Sequence, residues 1–173
     1  MRWQEPAALT RYGEREPVSP WVWAGPAARV QGRTWGGCLE VLSQLALAGR
    51  FPRDEQLDGA ILLLETSERL TPAPAVAEQL RAYGERELLA RAAGVVVARP
   101  PASTHEVVPS VEERAAARAA QRDAVLAAMA RYNPEAVVCV GVPFGHTRPQ
   151  WILPYGGRMV LDGARRIITA DYA

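Results

Sequence analysis

Ala60-Ile61-Leu62-Leu63-Leu64 runs without a polar break and is closed by the carboxylate of Glu65. A segment this short is a strand rather than a helix, and its lack of alternation leaves no face for water. It predicts a strand buried on both faces, the pattern of a central position in a parallel sheet. Two further runs have the same character: Gly94-Val95-Val96-Val97-Ala98, stopped by Pro100-Pro101, and Ala136-Val137-Val138-Cys139-Val140. Helical segments lie between and before them. Gly36-Gly37 opens a helix from Cys38 to about Ala48, with Leu39, Leu42, Leu45 and Leu47 near one stripe. Pro72 and Pro74 favour a start near Ala75, with an interruption at Gly84 and a second piece over Arg86 to Ala93. Ser110 and Glu113 form a capping-box pattern ahead of a long Ala- and Arg-rich helix ending near Tyr132-Asn133-Pro134.

Short strands are expected at Arg29–Arg33, Trp151–Leu153, Arg158–Leu161 and Arg166–Thr169. The last three are separated by Tyr155-Gly156-Gly157 and Asp162-Gly163. Helix–strand alternation followed by such a set predicts an α/β domain with a parallel central sheet and a small antiparallel second sheet.

Composition narrows the class. At 173 residues the chain suits one domain, and a globular chain of this size buries roughly 70% of its unfolded surface. Hydrophobic residues at 49% and charged residues at 23% argue for a packed core rather than disorder. The net charge of +1, with arginines scattered rather than clustered, points to neither nucleic acid nor an anionic membrane as partner. No apolar run approaches the roughly 18 residues of a membrane span, and the first residues carry no hydrophobic signal segment. Cys38 and Cys139 are too few for a disulfide framework, so a reduced, cytoplasmic setting is expected. Residues 1–27 hold Pro6, Pro17, Pro20 and Pro26 without apolar periodicity and read as an interdomain linker or docking arm. Residues 28–173 read as the folded domain.

Chemistry gathers at two strand ends. Glu65 closes one buried strand, and His146 follows another across the turn ending at Phe144-Gly145. Ligands of open α/β sheets sit outside the carboxyl ends of the parallel strands. If both strands are parallel, Glu65 and His146 emerge at one edge. A carboxylate on one imidazole nitrogen fixes the tautomer and leaves the other nitrogen to take a proton from a nucleophile. Gly145 would permit close backbone approach, and Thr66-Ser67 could hydrogen-bond the Glu65 carboxylate. The plainer reading is a solvated loop glutamate and a surface histidine. No serine for such a pair to activate is evident.

Gly36-Gly37-Cys38-Leu39-Glu40-Val41-Leu42, Leu62-Leu63-Leu64-Glu65-Thr66-Ser67-Glu68, and Phe144-Gly145-His146-Thr147 with Leu153-Pro154-Tyr155-Gly156 resemble the LD-carboxypeptidase family of serine peptidases. That family includes murein tetrapeptide carboxypeptidases, which act on peptidoglycan peptides, and microcin C self-immunity peptidases. The wording leans toward the microcin-immunity branch. The resemblance spans Val30 to Tyr172 and implies a swivelling β/β/α domain. It also implies a Ser-Glu-His triad in which Glu65 and His146 are the catalytic acid and base. The serine would come from an N-terminal, flavodoxin-like domain, in the same or a separate chain, so the domain alone is expected to be essentially inactive. The substrate would be a peptide or peptide-nucleotide amide, with no metal or organic cofactor. A homodimer is a further expected partner.

Other readings compete. Cys38, after two glycines at a helix N-terminus, could be a thiolate lowered in pKa by the helix dipole and paired with His146; its plain reading is a small apolar packer. A metal site from Cys38, His105, Cys139 and His146 lacks the spacing of known ligand sets. Gly36-Gly37 lacks the rest of a phosphate-binding loop. Trp35, with Trp21 and Trp23, could line a substrate groove or fill a domain interface. Arg148, two residues past His146, could meet a substrate carboxylate. From another class altogether, the chain could be a non-catalytic remnant or interaction module that binds through exposed apolar surface.

Overall fold

The computed structural model describes residues 18–104 and 106–172. Among these, the strands are β1 (Val22–Ala24), β2 (Arg29–Cys38), β3 (Ile61–Glu65), β4 (Gly94–Ala98), β5 (Val137–Val142), β6 (Arg158–Asp162) and β7 (Ile167–Ala170). The helices are α1 (Leu39–Leu47), α2 (Ala73–Glu85) and α3 (Val111–Tyr132), with single 3-10 turns at Asp54–Gln56 and Leu89–Arg91. The strands form one mixed sheet in the order β1-β5-β4-β3-β2-β6-β7. Strands β2 to β5 are parallel, while β1, β6 and β7 add antiparallel strands on the two sides.

The parallel strands follow one another across the sheet in chain order. Crossovers of a single hand then place every connecting helix on the same face. The packing agrees: Leu39 and Leu42 of α1, Val76 and Leu80 of α2, and Val125 and Met129 of α3 share one core with Leu62, Leu64, Val95, Val97, Val138 and Val140. Alternate residues of the same strands, Ile61, Leu63, Val96, Val137 and Cys139, face the other way. They pack against Met159 and Leu161 of β6, Phe144, and the partly buried Trp21 and Trp23. The uninterrupted apolar runs are explained by these two dry faces.

Strand β2 joins the two parts of the sheet. Its first half, Arg29–Arg33, pairs antiparallel with β6, and its second half, Thr34–Cys38, pairs parallel with β3. Gly36-Gly37 thus lies in a strand and does not open a helix. A Cβ on Gly36 would fall 2.0 Å from the Leu63 carbonyl oxygen, so the glycine serves strand pairing instead. Val22–Ala24, inside the stretch expected to be irregular, pairs with Val138–Val140 and seals the edge of β5. Trp151–Leu153 is not a strand. Its Trp151 N–H donates to the Pro143 carbonyl at 2.6 Å, and the Trp151 ring meets Trp21 edge-on at 5.2 Å. The second helical piece expected over Arg86–Ala93 shrinks to the turn Leu89–Arg91. The capping box of Ser110 and Glu113 has both of its reciprocal hydrogen bonds, at 2.8 and 3.1 Å.

Helix α2 crosses α3 where Gly84 meets Tyr132. An alanine in an ordinary helix interior is favoured over glycine by ~1 kcal/mol. Here a Cβ would lie 2.4 Å from the Tyr132 ring, and the ring hydroxyl donates to Glu85 at 2.7 Å. Gly84→Ala is therefore expected to destabilise the domain by about 1–3 kcal/mol, read as a lower urea midpoint; a raised midpoint would contradict this packing.

Candidate active site

The strand register carries the site. Cys38 lies level with Glu65, and Ala98 with Val142, so the carboxyl ends of β2 to β5 form one edge. Glu65 is the last residue of β3. Beyond β5 the chain turns through Pro143, buried Phe144 and Gly145 to reach His146. The turn is pinned by hydrogen bonds from the Arg99 and Phe144 N–H groups to the Val142 carbonyl, at 2.8 and 2.9 Å.

One oxygen of Glu65 then serves His146 twice. Its Oε2 lies 2.8 Å from the imidazole Nδ1 and accepts the His146 backbone N–H at 2.8 Å. The glutamate side chain is 11% exposed and the histidine 41%, so the carboxylate is held inside while the imidazole faces out. Gly145 makes this approach possible. Its φ is +68°, and a Cβ there would sit 2.1 Å from Glu65 Oε2. With a hydrogen on Nδ1, the Glu65 contact leaves Nε2 as the outward-facing acceptor. That nitrogen lies 3.2 Å from Glu68 Oε2, on a largely exposed side chain, a contact in which the protonated ring donates from Nε2 and which the neutral ring gives up. The hydrogen bond to Glu65 raises the His146 pKa above its usual 6.5; partial burial opposes this, and the charges of Glu65, Glu68 and Glu40 add to it.

Glu40, in the first turn of α1, was not among the candidate residues. Its Oε1 accepts from Ser67 Oγ at 3.0 Å, from Ser67 N–H at 3.3 Å and from Thr71 Oγ1, while Oε2 accepts from the Cys38 thiol at 2.9 Å. Burial alone would raise this carboxyl, but the bonds from Cys38, Thr71 and Ser67 outweigh it and hold the pKa at about 2. Ser67 thus serves Glu40 rather than Glu65, and the Thr66 hydroxyl faces Gln121 Oε1 at 3.5 Å. The available signal was a hydroxyl-rich loop, Thr66-Ser67 and Thr71, following the strand that ends in Glu65.

The same contacts reverse the expectation for Cys38. Burial, with the hydrogen bond to Glu40, pushes its thiol up to about 11. It is a protonated donor at neutral pH, which removes the basis for a thiolate nucleophile. Cys139 is buried in the core, and burial pushes it up to about 12. His105 lies outside the described residues. Among the described residues no group of three or more His, Cys, Asp or Glu is placed to hold a metal ion. No helix among them is long and apolar enough to cross a membrane.

Arg148 is exposed on the His146 loop. Trp35 pairs with Leu62, and three strand residues place it roughly 10 Å back from the sheet edge. Its ring packs on Phe51 at 5.0 Å between centroids. The loop beyond Arg148 is tied to β2. Thr34 Oγ1 donates to the Pro154 carbonyl at 2.5 Å, the Gly156 N–H donates to Thr34 O at 3.0 Å, and the Tyr155 hydroxyl donates to Gly36 O at 3.3 Å.

Residues 31–161 match the LD-carboxypeptidase C-terminal domain, and the chain belongs to that family. Among solved structures, an MccF-like protein from Streptococcus pneumoniae in complex with AMP is similar over 98% of this chain and 49% of its own, with a TM-score of 0.75 and 22% identity. MccF in complex with glutamyl sulfamoyl guanosine is similar over 95% of this chain and 44% of its own, with a TM-score of 0.71 and 16% identity. An MccF-like protein from Bacillus anthracis matches over 95% of this chain and 46% of its own, with a TM-score of 0.65 and 16% identity. The chain therefore spans about half the length of these structures, and they share its fold. No curated protein matches the sequence.

Because the folded-state pKa of His146 is raised, the charge-dependent part of the Glu65 contact's stability is fully present below pH 6.5 and is lost as pH climbs through the raised value. Denaturation midpoints of the wild type and Glu65→Gln should therefore converge on the alkaline side of pH 6.5. A gap that widens there would contradict the assignment. Gly145→Ala should push the carboxylate off the imidazole, and an NMR titration of His146 should show its midpoint falling toward 6.5.

Proposed function

We propose that this chain supplies the acid–base half of a serine peptidase active site. The observation that carries the proposal is the double hydrogen bond between His146 and Glu65 Oε2. A carboxylate on Nδ1 leaves Nε2 to act as general base. In the complete enzyme, Nε2 takes the proton from a serine hydroxyl as its oxygen attacks an amide carbonyl. The resulting imidazolium, stabilised by Glu65, then gives that proton to the leaving amine nitrogen. Water attacks the acyl-enzyme by the same route in reverse. Glu68, now beside Nε2 on an exposed side chain, must move aside for the serine.

The serine is proposed to come from an N-terminal domain, in the same polypeptide or a separate one. Trp151, Ile152 and Tyr155 support this, since they expose apolar surface on the segment that follows His146. The substrate is proposed to be an amide in an L,D-peptide or a peptide-nucleotide. The AMP bound in the MccF-like protein and the glutamyl sulfamoyl guanosine bound in MccF support the second of these. Arg148 is the cation offered to a substrate carboxylate, while Trp35, packed on Phe51 away from the sheet edge, is left out of the site.

The test is to assay the chain alone and joined to, or co-expressed with, a serine-bearing α/β domain of the family. The substrates are an L,D-peptide with a free C-terminal carboxylate and an acidic aminoacyl sulfamoyl nucleoside. The chain alone should be inactive and the combination active, with His146→Ala lowering turnover by about three to four powers of ten. Turnover by the isolated chain, or a combination indifferent to His146→Ala, would falsify the proposal. Arg148→Gln should raise KM for a carboxylate-bearing substrate while leaving kcat nearly unchanged.

A further inference from the structure

Outside the Glu65–His146 pair, the densest polar cluster among the described contacts surrounds Glu40. We propose that Glu40 is a positioning residue for the pair: it clamps the loop between β3 and α2, which follows Glu65 and carries Glu68. The inference rests on the function proposed above and adds a third carboxylate to that site.

Three observations carry it. The first is connectivity. One carboxylate joins the end of β2 through Cys38, the start of α1 through its own backbone, and both ends of the loop segment Ser67–Thr71. Cys38 is level with Glu65 in the sheet, so the clamp sits at the same edge as the pair. The second is backbone strain. Leu70, inside the clamped segment, has φ of +55°. A bulky side chain in that region is strained and persists only where its surroundings over-determine it. The surroundings here are Ser67 and Thr71, both bound to Glu40, with Gln121 Nε2 donating to the Thr71 carbonyl.

The third observation is chemical. The Ser67 amide, the two hydroxyls and the thiol are all neutral donors, and a carboxylate is the side chain that accepts from several donors while offering none. At the first turn of α1 its charge is also favoured by the helix dipole. Because these bonds keep Glu40 ionised down to about pH 2, its charge does not vary where His146 titrates. The titratable groups that face the imidazole are Glu65, in contact with Nδ1, and Glu68, 3.2 Å from Nε2; the charge of Glu40 adds a smaller push in the same direction. Around Glu40 itself the titratable neighbours are Cys38 on β2 and Tyr83 on α2.

The experiment is Glu40→Gln in this chain, followed by amide exchange at Ser67 and NMR titration of His146. We expect Ser67 exchange at least about tenfold faster and a lower His146 midpoint than in the wild type. In the combined enzyme, kcat should fall about tenfold to a hundredfold with KM nearly unchanged, because the pair is misplaced rather than the substrate unbound. Should Glu40→Gln fail to fold, Thr71→Val removes one donor and keeps the charge. It should reproduce the faster exchange, and Thr71→Ser should restore wild-type protection. Unchanged Ser67 exchange together with an unchanged His146 midpoint overturns the proposal. So does a Glu40→Gln enzyme with wild-type kcat. Failure of the underlying function would look different, since the wild-type combination would then show no amidase activity at all.

Discussion

A single carboxylate oxygen, Oε2 of Glu65, accepts both the backbone and the ring hydrogen bond of His146, and the geometry of the whole strand edge is arranged around that contact. Strands β3 and β5 are not neighbours, because β4 lies between them. Two interstrand spacings amount to roughly 10 Å, a gap that a glutamate side chain alone does not span. The turn after β5 brings His146 back over the end of β4, and Gly145 lets the chain come within bonding distance of the carboxylate. A side chain at that position would occupy the space now filled by Oε2.

The electrostatics follow from the same crowding. Three glutamates, at positions 40, 65 and 68, influence one imidazole, and each contributes to its raised pKa. Such a concentration of negative charge is tolerable because the charges are held differently. Glu65 is inside and bonded to His146, Glu68 is solvated, and Glu40 is bound by neutral donors at a helix start. The thiol of Cys38 becomes one of those donors. A residue that reads as a candidate nucleophile in isolation is thereby locked in its protonated form.

The apolar runs at β3, β4 and β5 were legible because a strand dry on both faces leaves no polar residue in its sequence. The capping box of α3 was legible because it is a purely local hydrogen-bond pattern. The length of β2, the edge strand at Val22–Ala24 and the loss of a strand at Trp151–Leu153 were not. Each depends on a partner distant in the chain: Leu63 against Gly36, Val138–Val140 against β1, and Pro143 with Trp21 against Trp151. Glu40 was missed for the same reason, since its hydroxyl donors, Ser67 and Thr71, lie 27 and 31 residues away.

The order of the residues thus determined that this chain forms an α/β domain with a parallel centre, and that a glutamate and a histidine stand at the ends of two of its strands. Hydrophobic periodicity and local capping suffice for that, because both are properties of neighbouring residues. Only the folded chain decided that the two side chains share one oxygen, that Ser67 binds Glu40 instead of Glu65, and that Cys38 keeps its proton. Those outcomes turn on separations of a few ångströms between segments far apart in sequence, which strand register and a missing Cβ at Gly145 set and which no local pattern records.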